Sequence, residues 1–268
     1  MKTVFLSLLS AGVLASVALP FASRVAPKTT APTLPAAARV PVVVELFTSE
    51  GCSSCPAADA TLRELVATQP VPGVEILALG EHVDYWNRLG WKDAFSSAQF
   101  TERQRQYAAR FGTGSYTPQA VVNGQAELVG SQRQKLTAAI TQAATAPYAT
   151  IRLTRPTPTS VHVQVSALPA GTTQSQVLLA LTEAGLSSQV GRGENAGRLL
   201  RHAPVVRVLR TVGTVDGTGS FVATVPLQLA AQCHSAEARA VVLVQETASR
   251  RVVGVASLAL GAGTDITQ

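Results

Sequence analysis

Cys52 and Cys55 stand three positions apart where one sequence pattern gives way to another. Before them runs Val42-Val43-Val44-Glu45-Leu46-Phe47, a β-branched and aromatic stretch that reads as a buried strand. After them Ala58, Leu62, Leu65 and Val66 fall on one face of a helix. A turn from Thr48 to Gly51 joins the two, and Val74 to Leu79 reads as a second strand. Strand, helix, strand implies parallel pairing through a right-handed crossover. The C-x-x-C therefore sits directly after a strand and at the mouth of a helix, a placement more constraining than its spacing.

The pattern continues in the same style. Ser96 with Gln99 makes a capping box, and Phe95 can staple onto Phe100. Phe100, Tyr107, Ala108 and Phe111 extend that helix face to Gly112. Thr117-Pro118 leads into a strand, Gln119 to Val122, and Asn123-Gly124 signals a hairpin into Ala126 to Val129. Ser131 with Gln134 opens a third helix, with Leu136, Ala139, Ile140 and Ala143 turned inward. The order β-α-β-α-β-β-α over residues 39–147 predicts a mixed four-stranded sheet with helices on both faces.

Residues 148–268 change character. Seven short alternating runs appear: Thr150 to Thr154, Ser160 to Ser166, Gln176 to Glu183, Val205 to Thr211, Ser220 to Val225, Ala240 to Glu246 and Arg251 to Leu258. This spacing predicts an antiparallel β-sandwich-like domain. A chain of 268 residues accommodates both blocks. The fold class expected is α/β plus all-β.

The N-terminus sets the expected compartment. Lys2 precedes an apolar core from Val4 to Leu19, interrupted by serines and followed by Pro20. This fits a secretory signal peptide over residues 1–23 better than a membrane anchor. Residues 24–38 are rich in Ala, Pro and Thr and read as a linker without its own fold. The mature protein is expected to be periplasmic or secreted, with no integral membrane domain. Export implies an oxidising environment, so the cysteines are read as disulfide chemistry first. The formal charge of +6 comes from scattered Lys and Arg rather than a basic stripe, so no nucleic-acid partner is expected. Gly191 to Gly197 is glycine-rich but has no phosphate-loop lysine. Arg192, Arg198, Arg201, Arg207 and Arg210 form the one local basic concentration. Its default reading is a solvated surface, against docking of an acidic partner.

The unpaired N–H groups and positive dipole end of a helix stabilise a thiolate at its mouth. That thiolate attacks disulfides, and a second thiol one turn on can resolve the intermediate. Cys52 and Cys55 have this arrangement. Two other readings stand beside it. One is a structural disulfide in a partner-binding protein. The other is a Cu(I) or Zn module using Cys52, Cys55 and His82. A second C-x-x-C is absent, which removes a four-cysteine zinc site, and no metal or other cofactor is assigned.

Topology brings further residues to the dithiol. Functional loops lie at the carboxyl ends of parallel strands. The second strand ends before Glu81 to Trp91, a stretch holding His82, Tyr85 and Trp86, candidate groups for gripping a substrate. Trp91 reads as packing. The strand after Pro118 runs the other way, so its start belongs to the same edge. Cys52, His82 and Pro118 are thus expected to converge. Cys233 is the odd cysteine and is expected to be buried.

Residues 45–59, ELFTSEGCSSCPAAD, resemble the signature of a bacterial exported thioredoxin-like family, domain of unknown function 1223. HVDYWNRLGWKDAF, YTPQAVVNG and GRGENAGRLLRH resemble that family too. The resemblance implies a thioredoxin-like first domain. It implies Cys52 as nucleophile, Cys55 as resolving thiol, and Thr117-Pro118 as a cis-proline loop that shapes a peptide groove. Glu45 resembles the buried carboxylate that assists the resolving thiol, although one extra residue separates it from Cys52. A solvent-facing Glu45 is the competing reading. The expected function is an exported thiol–disulfide oxidoreductase. Its substrate would be a protein or small-thiol disulfide, with a further redox partner supplying or removing electrons.

Overall fold

The computed structural model describes Met1, residues 39–228 and residues 235–261. Residues 2–38, read as signal peptide and linker, and Cys233 lie outside the described residues.

The first half forms β1 (Val40–Thr48), α1 (Cys55–Thr68), β2 (Val74–His82), α2 (Ala98–Phe111), β3 (Gln119–Val122), β4 (Ala126–Val129) and α3 (Arg133–Ala143). β1 and β2 are parallel, whereas β3 runs antiparallel to both β1 and β4. Successive strand residues face opposite sides of a sheet. Val42, Val44 and Leu46 therefore pack with Ala58, Leu62 and Leu65 of α1 and with Leu136 and Ile140 of α3. Val43 and Phe47 face the other side, where Phe100 and Tyr107 of α2 lie.

The second half contains the seven expected strands. They are β5 (Thr150–Thr157), β6 (Ser160–Ser166), β7 (Ser175–Glu183), β10 (Val205–Thr214), β11 (Phe221–Pro226), β12 (Ala238–Glu246) and β13 (Val252–Ala259). A short ribbon of β8 (Ser187–Gln189) and β9 (Leu199–Arg201) was not expected. Its strands are too short to carry an alternation pattern.

Sheet membership differs from expectation. One mixed sheet of eight strands has the order β13-β12-β7-β10-β2-β1-β3-β4 and crosses the boundary expected near Pro147. The described residues from Arg39 onward belong to one compact unit. The expected four-stranded sheet is the β2-β1-β3-β4 part of this larger sheet. The sandwich character lies at its other end, where β11-β6-β5 form a second layer. There Val161, Val163 and Val165 pack on Val177, Leu179, Val242 and Val244.

Two glycines permit this union. β2 meets β10 at the single pair Gly80 and Val205. The Gly80 N–H donates to Pro204 O at 2.7 Å, and a Cβ on Gly80 would lie 2.9 Å from that same oxygen. At the β3–β4 turn, Gly124 has a φ of +63°, and a Cβ there would stand 1.9 Å from Arg250 O. The neighbouring Asn123 carbonyl accepts from the Val252 N–H at 2.9 Å, so the β12–β13 hairpin returns onto the β3–β4 turn.

Helix starts also depart in detail. The α2 cap is Ser97, whose Oγ accepts from the Gln99 N–H, rather than Ser96. Ser96 is engaged elsewhere, donating to Asp93 O and accepting from Asn87 Nδ2. The α3 cap position is Gln132, with no side-chain capping bond from Ser131.

Candidate functional site

Cys52 and Cys55 form a disulfide with Cα atoms 5.4 Å apart. Cys52 lies in the turn after β1, and Cys55 begins α1, with Pro56 in its first turn. Proline there sacrifices no intrahelical bond, because the first N–H groups of a helix are unpaired in any case. Both cysteines are 1% exposed, while Ser53 and Ser54 between them are exposed. Ser54 Oγ lies 3.4 Å from Cys52 Sγ.

The turn bearing Cys52 is held from three directions. Asp93 Oδ2 accepts from the Glu50 N–H at 2.9 Å. Asn195 Nδ2 donates to the carbonyls of Glu50 and Cys52, both at 2.9 Å. Glu194 Oε2 accepts from the Ser53 N–H at 2.9 Å. Glu194 and Asn195 belong to the segment between β8 and β9, within the glycine-rich stretch of the sequence. Arg198 secures Asn195 by donating to its Oδ1 at 2.6 Å.

Behind the turn lies a buried ionisable cluster. His82 Nδ1 and Asp93 Oδ2 are 2.7 Å apart, and the His82 ring meets that of His202 at 5.0 Å between centroids. Glu50 accepts from Trp91 Nε1 at 2.6 Å through Oε2. Its Oε1 lies 3.3 Å from His202 Nε2, a close approach without hydrogen-bond geometry. Asp59, one turn beyond Cys55 on α1, accepts from Thr48 Oγ1 at 2.7 Å and from the Ala203 N–H at 3.0 Å. A cavity of about 10 Å³ touches Glu50, Pro56, Asp59 and His202, about the space one water occupies. Burial opposes protonation of His82, but Asp93, Asp59 and Glu50 outweigh it and raise its pKa. Burial likewise opposes charge on Asp93, yet His82 and the Glu50 and Phe95 N–H groups hold its pKa below the usual carboxylate range.

Pro118 follows a cis peptide bond from Thr117 and is buried at the start of β3. Phe47 pairs with Gln119, so this bond lies beside the carboxyl end of β1. Trp86 connects the two loops. Its Nε1 donates to Thr117 Oγ1 at 2.9 Å, and its Cβ would stand 3.1 Å from a Cβ on Gly51.

The sequence candidates separate accordingly. Cys52, Cys55, Thr117, Pro118 and Trp86 belong to one edge of the sheet, joined through the contacts above. Tyr85 is half-buried and donates to Gln104 Oε1 at 3.2 Å, beside Trp86. His82 is 1% exposed and turned to Asp93, so a direct grip on substrate, as expected from sequence, does not fit its position. Trp91 packs against Gly191 and Gly193 while bonding Glu50. Glu45 is buried rather than solvent-facing, but it lies on the α2 side of the sheet, opposite α1. There it accepts from Arg103 Nε and from the Tyr107 hydroxyl, both at 2.5 Å. Its strand position, one residue out of step with the expected carboxylate, places it on that face. Burial, then repulsion by Glu45, pushes the neighbouring Glu81 carboxyl well up, with Arg103 opposing. Among the described residues no group of three His, Cys, Asp or Glu side chains is arranged to hold a metal ion.

Of the expected arginine cluster, Arg198 serves Asn195, Arg207 lies over the Phe95 ring and near Glu183, and Arg210 bonds Pro226 O. Sequence reading missed Glu50, Asp59, Asp93, Glu194, Asn195 and His202. Each lies inside one of the stretches ELFTSEGCSSCPAAD, HVDYWNRLGWKDAF and GRGENAGRLLRH. Grouping those stretches around the dithiol would have found them.

A family model described as a protein of unknown function (DUF1223) matches residues 43–245. No curated protein matches the chain. A crystal structure of an Agrobacterium tumefaciens protein is similar, with 27% identity and a TM-score of 0.62. The match covers 85% of this chain and 97% of that one. A domain of the outer membrane lipoprotein Omp28 from Porphyromonas gingivalis matches at 14% identity and a TM-score of 0.28. It covers 42% of this chain and 87% of that chain. No helix among the described residues is long and apolar enough to cross a membrane.

Proposed function

The chain belongs to the family of proteins of unknown function DUF1223, and we propose that it is an exported thiol–disulfide oxidoreductase working through Cys52 and Cys55. We take the first half, residues 39–147, to be a thioredoxin-like unit, and the compartment to be the periplasm or the exterior. The observation that carries this reading is a C-x-x-C disulfide at the start of α1, with a cis-proline loop tied to the same sheet edge through Trp86.

Electrons and atoms balance without a cofactor. In the reducing direction the Cys52 thiolate attacks one sulfur of a substrate disulfide. A mixed disulfide forms, and the substrate's other sulfur leaves as a thiolate. Cys55, deprotonated, then attacks Cys52 Sγ. The Cys52–Cys55 bond forms, the second substrate thiolate leaves, and two electrons have passed to the substrate. The oxidising direction is the reverse. Ser54 Oγ, 3.4 Å from Cys52 Sγ, is placed to hydrogen-bond the thiolate. The cis turn at Pro118 shapes backbone for an extended substrate strand. Asp59, Glu50 and His202 are buried side chains near the start of α1.

The substrate is a polypeptide or small-molecule disulfide, and a separate redox partner resets the pair. A Cys55→Ser variant should accumulate mixed disulfides with substrate, and a Cys52→Ser variant should not. If neither trapped a partner and the wild type catalysed no exchange, the enzyme reading would fall. The pair would then be a structural disulfide.

A further inference from the structure

Thiolates at the mouth of a helix are stabilised by free N–H donors and by the positive end of the dipole. In this site a backbone donor just ahead of the helix, which begins at Cys55 with Ser54 at its cap position, is already occupied. The Ser53 N–H, adjacent to Cys52, donates to Glu194 Oε2 at 2.9 Å. The carboxylate comes from 141 positions away and is not a local cap. Its placement is built. The next residue, Asn195, is fully buried, grips the carbonyls of Glu50 and Cys52, and is itself held by Arg198. Hydrogen bonding from Ser53 holds the Glu194 carboxyl below the usual range, so it is charged at neutral pH.

Two effects follow, and they act in the same direction. The carboxylate takes a donor that would otherwise be free to favour a thiolate. It also sets a negative charge at the backbone of the residue next to Cys52, where it disfavours a second negative charge on that cysteine's sulfur. We infer that Glu194 is a positioning and tuning residue that disfavours the Cys52 thiolate and so makes the Cys52–Cys55 pair more strongly reducing. The logic is one of linkage. Whatever destabilises the thiolate destabilises the reduced protein, and the equilibrium moves toward the disulfide. This role rests on the redox reading above, but it concerns the intrinsic chemistry of the pair and is measurable without any substrate.

Glu194→Gln separates the charge from the hydrogen bond, because the amide oxygen still accepts from Ser53. Glu194→Ala removes both. The measurements are the ultraviolet titration of the Cys52 thiolate in the reduced protein, and the equilibrium of protein dithiol plus oxidised glutathione with protein disulfide plus two reduced glutathiones. Glu194→Gln should lower the Cys52 pKa by about one unit at low salt, with a smaller shift at high salt as screening grows. The glutathione equilibrium should move several-fold toward the reduced protein, and Glu194→Ala should move it at least as far. A merely structural role would change melting behaviour and leave both readouts in place. An unchanged pKa and equilibrium in Glu194→Gln, or movement the other way, would overturn the inference. If the shifts occur but the wild type exchanges disulfides with no substrate, Glu194 tunes the pair and the oxidoreductase reading fails separately.

Discussion

Asn195 donates to the carbonyl of Cys52 at 2.9 Å across 143 positions of sequence. The same amide group reaches Glu50 O, and the side chain is wholly buried. The second half of the chain therefore fixes the backbone of Cys52.

Replacing Asn195 by Ala leaves those two carbonyls without their donor. The expected cost is about 2 kcal/mol, the typical penalty for orphaning buried polar groups. The Cys52–Cys55 disulfide should also be reduced faster by an added phosphine, because its turn is freer to open. Chemical unfolding and reduction kinetics check the two halves of this prediction. Wild-type reduction kinetics in Asn195→Ala would contradict the anchoring role.

Gly124→Ala tests the return of the β12–β13 hairpin onto the β3–β4 turn. An added Cβ meets Arg250 O at 1.9 Å, and the backbone φ of +63° is itself unfavourable for alanine. Backbone must move, and the loss should be at least about 3 kcal/mol by denaturant unfolding. A loss under about 1 kcal/mol would mean the two turns do not meet as described.

The His82–Asp93 pair predicts a specific pH dependence. The folded-state pKa of His82 is raised, so its contribution is complete below an unfolded value of about 6.5 and is lost as pH rises through the folded value. Asp93 is lowered, so its contribution is present above its unfolded pKa and is lost as pH falls through the folded one. A His82→Gln variant does not titrate at this position. Its stability deficit relative to wild type should be greatest on the acid side of about pH 6.5 and shrink above it. Unfolding curves across that range read the effect. A deficit independent of pH would contradict the charged pair.

Glu45 serves as a control for the location of the chemistry. It lies in a buried network with Arg103, Tyr107 and Gln245, which links β1, α2 and β12. Glu45→Gln leaves the Arg103 charge without its nearest partner, and about 3–5 kcal/mol of stability should go. The reactivity of the reduced Cys52 thiol should stay at the wild-type level. A variant that kept its stability but changed thiol reactivity would return Glu45 to the dithiol.

Local structure was legible in the sequence wherever a short pattern decides it. The run from Val42 to Phe47 makes β1, the Asn123-Gly124 turn joins β3 to β4, and the C-x-x-C opens α1. Alternation reveals that a segment is a strand but not which strand it will join. Within the sheet the strands of the two halves join at one residue pair, Gly80 with Val205, beside a backbone approach that glycine alone allows. Neither has a periodic signature. Ser96 and Ser97 are both chemically fit to cap α2, and the choice is made by Asp93 and Asn87, which occupy Ser96. Similarly, Phe95 lies against the rings of His82 and His202, a contact that local spacing cannot show. The C-x-x-C was found because it has a strong local motif, and the cis bond at Pro118 was expected only through the family resemblance. Glu194 and Asn195 were missed because their role depends on a loop meeting the Cys52 turn from the far end of the chain.

The reduction potential of the Cys52–Cys55 pair, measured against glutathione, tests the central claim most directly. A working dithiol should equilibrate within the range of known exchange proteins, roughly −270 to −120 mV. A potential below about −300 mV, with no reduction by thioredoxin-type donors, would identify the pair as a structural disulfide and contradict the account.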